Sequence, residues 1–206
     1  MAETLEKVRT RYDRNSRFYD LVEYPSERIF LKGWREMLLP LAKGRILEVG
    51  FGTGKNLPYY PPGSDVTAID ISRGMISRAL SKRLRPDVKF SPALMDVQNL
   101  GFKDDSFDTV VATFVFCSVP DPLAGLRELK RVCRPGGRML LLEHVRSRRT
   151  AIGRLMDLLN PFLSAVTGAN INRDTVGNLL RSGLKLVRER NLLWDIFKLL
   201  IAEPAK

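Results

Sequence analysis

The sequence predicts an α/β fold: a Rossmann-like, doubly wound, mostly parallel sheet with helices on both faces and an antiparallel terminal strand. Three observations lead there. Short apolar runs recur at 45–49, 66–70, 88–90, 107–113 and 138–143, with stretches of helical periodicity at 72–82 and 121–132 between them. Strands that alternate with helices at this spacing pair in parallel and wind in both directions. The runs are apolar on consecutive positions, as in Ile46-Leu47 and Val110-Val111-Ala112, which marks strands covered on both faces. After residue 144 the alternation stops, and Leu184-Lys185-Leu186-Val187 and 197–202 read as a terminal pair of strands.

The flanking elements follow from periodicity. Residues 3–20 place Leu5, Val8, Tyr12 and Tyr19 at helical spacing among Lys7, Arg9, Arg11, Arg14 and Arg17, a basic amphipathic helix. A second helix is predicted over 26–40, stopping at Pro40. Arg134-Pro135-Gly136-Gly137 is the expected stop of the helix before the fifth strand. An apolar stretch over 152–166, interrupted by Asn160-Pro161, precedes a helix over 175–182 that Gly183 closes. The 206 residues fit one domain. Within it, 1–40 are expected as an N-terminal helical lid, 41–145 as the ligand-binding core, and 146–206 as a substrate lid with the terminal strands.

Composition narrows the classes. Apolar residues make up 44% and charged residues 28%, an ordinary globular mixture, and no apolar run is long enough to span a bilayer. The start of the chain lacks the basic-then-apolar layout of a secretory leader, so a cytoplasmic location is the expectation. Cys117 and Cys133 lie far apart and His144 is the one histidine, so no Cys/His metal site is expected. The charge of +11, from 34 Lys+Arg against 23 Asp+Glu, either favours an anionic partner or only keeps the protein soluble.

The chemistry concentrates at Glu48-Val49-Gly50-Phe51-Gly52-Thr53-Gly54. Ligands of open parallel sheets bind beyond the carboxyl ends of the strands, and the turn after the first strand approaches them so closely that glycine is favoured. Asp70 follows Gly50 by twenty residues, at the end of the second strand, where a carboxylate accepts both hydroxyl protons of a ribose. A dinucleotide site shares these parts, but here Lys55 stands where its third glycine belongs. Glu48 would repel a pyrophosphate and attract a cationic ligand. A phosphate-binding P-loop fails because Asn56 follows Lys55 in place of Ser or Thr. The balance moves to S-adenosylmethionine, whose sulfonium and ammonium are positive. Asp96 and Val97 after the third strand are candidates for the adenine, and Thr113 and Phe114 after the fourth for the methionine moiety. An aspartate after a strand is also a common turn residue.

Ile46-Leu47-Glu48-Val49-Gly50-x-Gly52-Thr53-Gly54, Asp70-Ile71-Ser72-x-x-Met75, Ser106-Phe107-Asp108 and the run from Leu129 to Gly137 resemble the class I S-adenosylmethionine-dependent methyltransferases. The pattern is similar to the branch holding the ubiquinone and menaquinone methyltransferases and the bacterial phosphatidylethanolamine N-methyltransferases. Leu57-Pro58-Tyr59-Tyr60-Pro61 and Val115-Phe116-Cys117-Ser118-Val119 look most like the phospholipid branch and also resemble small membrane-associated thiol methyltransferases. Phe51 departs from the small residue usual between the first two glycines.

The resemblance implies a cofactor set of Tyr12, Glu48, Gly50, Gly52, Gly54, Asn56, Asp70, Ile71, Met75, Asp96, Val97, Thr113 and Phe114. It implies S-adenosyl-L-homocysteine as product, no metal, and an N-terminal Tyr12/Tyr19 segment over the cofactor. Tyr12 and Tyr19 either orient an acceptor or only pack their helix, and His144 is either a general base or a surface or capping histidine. Arg146, Arg148, Arg149 and Arg154 beside the apolar stretch fit a peripheral membrane surface and a lipophilic acceptor, phosphatidylethanolamine first, with quinones and thiols as alternatives. Nucleic acid is not expected, because Pro120-Asp121-Pro122 lacks the aromatic with which base methylases grip a flipped base. A non-catalytic binding protein is the reading from another class, and a monomer or weak oligomer is expected.

Overall fold

The computed structural model describes residues 4–82 and 85–206. One seven-stranded sheet organises them, in the order β3-β2-β1-β4-β5-β7-β6. The strands are β1 (Arg45–Val49), β2 (Asp65–Asp70), β3 (Lys89–Leu94), β4 (Phe107–Thr113), β5 (Cys133–His144), β6 (Leu184–Leu193) and β7 (Phe197–Pro204). The first five are mutually parallel, and β7 lies antiparallel to both β5 and β6. The expected antiparallel strand is therefore the last one, slotted between β5 and the outermost strand.

Alternate residues feed two cores. Leu47, Val49, Val110, Ala112, Met139 and Leu141 pack on α4 (Pro122–Val132) and α6 (Thr175–Arg181). Ile46, Val66, Ala68, Val111, Leu140 and Leu142 pack on the other face, against α2 (Lys32–Leu38) and α3 (Arg73–Leu80). Carboxylates and a hydroxyl set the helix starts: Asp121 accepts from the Leu123 and Ala124 amides, Asp174 from Gly177, and Ser72 from Met75.

Several boundaries differ from the sequence expectation. β3 runs through Pro92 to Leu94 instead of ending at residue 90; it is an edge strand, so the missing N–H faces no neighbour. β5 starts at Cys133, because 134–137 form an irregularity within the strand, between the Phe107–Cys133 and Thr109–Arg138 pairings. β6 and β7 are both longer than predicted.

The two predicted N-terminal helices are nearly one. α1 (Leu5–Ser26) contains Pro25 and continues through a π turn at Glu27–Leu31 into α2, ending in a 3-10 turn at Leu39–Leu41. The wider turn accommodates the amide that proline lacks. Residue 3, the predicted start, lies outside the described residues. Nor does Pro161 divide the apolar stretch: α5 (Thr150–Thr167) runs through it. The Asn160 side-chain Oδ1 accepts the Ile171 amide at 2.8 Å, tying the helix to the loop that follows.

Leu129 of α4 has no exposed surface and belongs to the larger core, which also holds residues of the central strands and of α6. Leu129→Ala should cost about 2–5 kcal/mol in chemical denaturation; a loss under about 1 kcal/mol would show that the helix–sheet contact is not a packed one.

Candidate active site

At the carboxyl end of β1 the chain turns sharply, with Gly50, Gly52 and Gly54 at φ 60°, 57° and 78°. A side chain at Gly50 would place its Cβ 2.7 Å from Val115, whereas a Cβ at Gly52 would meet nothing within 4 Å. Gly52 thus faces open space with its amide donating 2.8 Å to Asp70 Oδ2. The other Asp70 oxygen accepts from Ser72 at 2.9 Å. Burial pushes this carboxyl up to about 6, against the pull of the two amides.

A partly open cleft with a cavity volume of about 100 Å³ lies over this turn. Gly50, Gly52, Asp70, Ile71, Met75, Asp96, Val97, Thr113 and Phe114 line it, and Tyr12 and Tyr19 of α1 cover it. The cleft is also bounded by Leu5, Val8, Met95, Ser118 and Val119. Asp96 is braced by the Gln98 amide at 2.9 Å and the Gln98 side chain at 3.0 Å. Phe51, which sequence alone left as a crowding concern, turns away from the cleft and packs edge-on against Phe90, 5.4 Å between centroids.

Glu48, Gly54, Asn56 and His144 are not among the lining residues. Glu48 is 1% exposed and accepts from Asn56 at 2.7 Å and from the Tyr60 hydroxyl at 2.9 Å. Burial lifts its carboxyl to about 7. Asn56 in turn accepts from Arg35 at 2.5 Å and donates 3.1 Å to Thr113. These two residues are a floor beneath the glycine turn, because strand alternation points residue 48 to the side opposite Val49. His144, at the end of β5, meets Phe197 edge-on at 4.8 Å, its Nδ1 buried without a hydrogen-bond partner. Burial pushes it down to about 4, so it is neutral and a weak proton acceptor at pH 7. Cys117 is a buried thiol pushed up to about 12.

Sequence reasoning missed how α1 is held. Of its 22 residues only Val8 and Ser16 are buried; carboxylates do the docking. Asp13 accepts from Ser72 Oγ at 2.7 Å and the Gly74 amide at 2.9 Å. Asp20 takes Thr53 and Lys82, at 2.6 and 2.7 Å. Glu23 pairs with Lys55 at 2.6 Å, and Glu27 holds Arg35 through two bonds of 3.0 and 3.3 Å. Asp13, Asp20 and Glu27 recur every seven residues, which on a helix is one face; that spacing was the available signal. Lys55, the residue in place of a third glycine, is a latch: its ammonium also lies 5.3 Å from the Tyr19 ring centroid. Tyr12 closes the far side with a 2.7 Å bond to Ser118. Burial holds both phenols neutral.

The cradle fits a nucleoside carrying a thioether or sulfonium arm. An open glycine, two carboxyls braced by backbone amides, Asp70 and Asp96, and apolar walls share one cleft. The sequence matches the family described as "Methyltransferase domain" over residues 47–141. It is 44% identical to phosphatidylethanolamine N-methyltransferase of Cereibacter sphaeroides over 49% of this chain and 51% of that one. It is 31% identical to Thiol S-methyltransferase TMT1A of Homo sapiens over 80% of this chain and 71% of that one. The chain belongs to the S-adenosylmethionine-dependent methyltransferases. It aligns with only about half the length of the bacterial relative. A solved S-adenosylmethionine-dependent methyltransferase from Thermotoga maritima, described as a possible histamine N-methyltransferase, superposes with a TM-score of 0.68. It has 17% identity and spans 95% of this chain and 99% of that one, a likeness of fold. Among the described residues no helix is long and apolar enough to cross a membrane, and no group of three metal-ligating side chains occurs.

The Glu48 carboxyl binds its proton more tightly folded than unfolded, since burial raises it from 4.5 to about 7. That contribution is complete below pH 4.5 and is lost as pH rises through 7. Glu48→Gln removes it, so the wild-type Tm minus the variant Tm should fall steadily over this window. A flat difference would mean that Glu48 is ionised throughout.

Proposed function

We propose that this methyltransferase acts on a lipophilic acceptor presented at an anionic membrane surface, with phosphatidylethanolamine amines first among the candidates. The observation that carries the reading is the outward face of the lids. Val22 is 74% exposed, and Phe18, Leu21, Ile29 and Phe30 are exposed beside it. Leu158 at 76% and Phe162 at 71% are exposed on α5 with Leu155. Exposed Arg14, Arg17 and Arg28 accompany the first group, and Arg148, Arg149 and Arg154 the second. Apolar side chains that lower into an interface between cations fit reversible binding to anionic lipid. The similarity to a phosphatidylethanolamine methyltransferase supports the same acceptor; the similarity to a thiol methyltransferase makes a lipophilic thiol the second reading. In this reading 1–40 and the first part of 146–206 are the two lids, and 41–145 hold the cofactor.

Bound S-adenosylmethionine supplies an electrophilic methyl on sulfur, which leaves as a neutral thioether when an acceptor lone pair displaces it in line. The chain's own work is positioning and exclusion of water. Asp70 would hold the ribose hydroxyls, Asp96 and Val97 the adenine with Ile71 and Met75 beside them, and Gly50, Gly52, Thr113 and Phe114 the methionine arm. Glu48, Gly54 and Asn56 support the turn from below. Tyr12 and Tyr19 close the cleft and orient the acceptor amine, which must be deprotonated to react. His144 lies outside this set.

Asp70→Ala should weaken S-adenosylhomocysteine binding about tenfold or more, roughly 1.4 kcal/mol, by calorimetry; unchanged affinity removes Asp70 from the site. Vesicles of anionic lipid with phosphatidylethanolamine should pellet the protein at low salt, release it at high salt, and take up labelled methyl groups. Pelleting without labelling would favour a quinone or thiol, and no pelleting would remove the membrane surface.

A further inference from the structure

Glu143, the penultimate residue of β5, has no exposed surface. Its Oε1 accepts two backbone amides, from Val115 at 3.2 Å and Phe116 at 3.3 Å. Its Oε2 is buried with no hydrogen-bond partner. A carboxyl in such a place is costly unless it does something for its surroundings, and burial pushes it up to about 8.

What it holds is the turn after β4. That turn begins with Phe114 at φ 59°, a left-handed conformation expensive for a bulky side chain. Without Glu143 the buried Phe116 amide would be unpaired and the part-buried Val115 amide would lose its acceptor. Further along, the Asn170 amide and side chain bond the Cys117 carbonyl at 2.8 and 3.1 Å, and Arg173 bonds the Val119 carbonyl at 2.9 Å. The turn supplies Phe114, Val115, Ser118, Val119 and Pro120 to the cleft wall. Val115 packs where a side chain at Gly50 would go, and Ser118 is the partner of Tyr12.

We propose that Glu143 is a positioning residue for methyl transfer. By accepting the Val115 and Phe116 amides it sets Val115 against the glycine turn and Ser118 beneath the covering Tyr12. The requirement is reach, one acceptor oxygen at this distance, and not negative charge. It goes beyond the acceptor reading above and holds for any acceptor.

Two conservative variants separate reach from charge. Glu143→Gln keeps the carbonyl oxygen in place without the charge; Glu143→Asp keeps the charge but draws the oxygens back by one methylene. S-adenosylhomocysteine affinity by calorimetry and amide exchange at Val115 and Phe116 by NMR report on the site without an acceptor. In Glu143→Gln, affinity should stay within about threefold and both amides remain protected. In Glu143→Asp, affinity should fall about tenfold or more and protection at these two amides should drop. The reverse order, equal loss in both variants, or full retention in both would each overturn the proposal. Wild-type binding of S-adenosylhomocysteine tests the cofactor site independently.

Discussion

Arg35 carries a guanidinium into the interior at the place where three elements meet. It is 4% exposed, and its donors go to Glu27 at the π turn, to Asn56 below the glycine turn, and to Thr113 at the end of β4. Asn56 passes the connection to Glu48 at the end of β1. A charge taken out of water must be paired and fully bonded, or the loss is several kcal/mol. That demand fixes the π turn, the glycine turn and the β4 terminus relative to one another. The shape of the cleft follows from it, since Thr113 and the glycines are its walls.

α1 is attached in the reverse of the usual sense. In a helix packed on a soluble core the apolar stripe faces inward. In α1 and the π turn that follows it the inward contacts are Asp13, Asp20, Glu23 and Glu27, and Phe18, Leu21 and Val22 face out. Ion pairs of this kind, with Asp20 and Glu23 partly in water, are screened by salt and individually weak. α1 is therefore held in place by several small contacts along its length and by one tyrosine hydroxyl, the kind of attachment that opens at low local cost. The outward apolar residues add nothing to this attachment.

Five carboxyls stand at or under the carboxyl edge of the sheet, and their surroundings divide them. Asp70 and Asp96 open onto the cleft, braced by neighbouring amides. Glu48 and Glu143 are enclosed and hold backbone or side-chain donors around the cleft from behind, and Asp13 caps the turn into α3 from the lid. An acid next to a glycine turn does not by itself face the ligand. Strand alternation decides which acids do: residue 48 points under the turn, and residue 70, at the strand end, reaches its amides.

The order of strands and helices was legible in the sequence, because parallel strands covered on both faces need unbroken apolar runs, and those runs are local. The glycine turn, Asp70 and the cleft-lining residues Met75, Asp96, Val97, Thr113 and Phe114 were legible for a related reason: each sits within a few residues of a strand end. Asn160-Pro161 misled, since α5 runs through it, and a π turn joins the two N-terminal helices that were expected to be separate. The inward acid face of α1, the destinations of Glu48 and His144, and the grip of Glu143 on the β4 turn were decided only in three dimensions. They depend on partners 8 to 62 residues away. The sign of a residue gives its chemistry, but which side of a strand or helix it faces, and what is packed there, belongs to the tertiary structure.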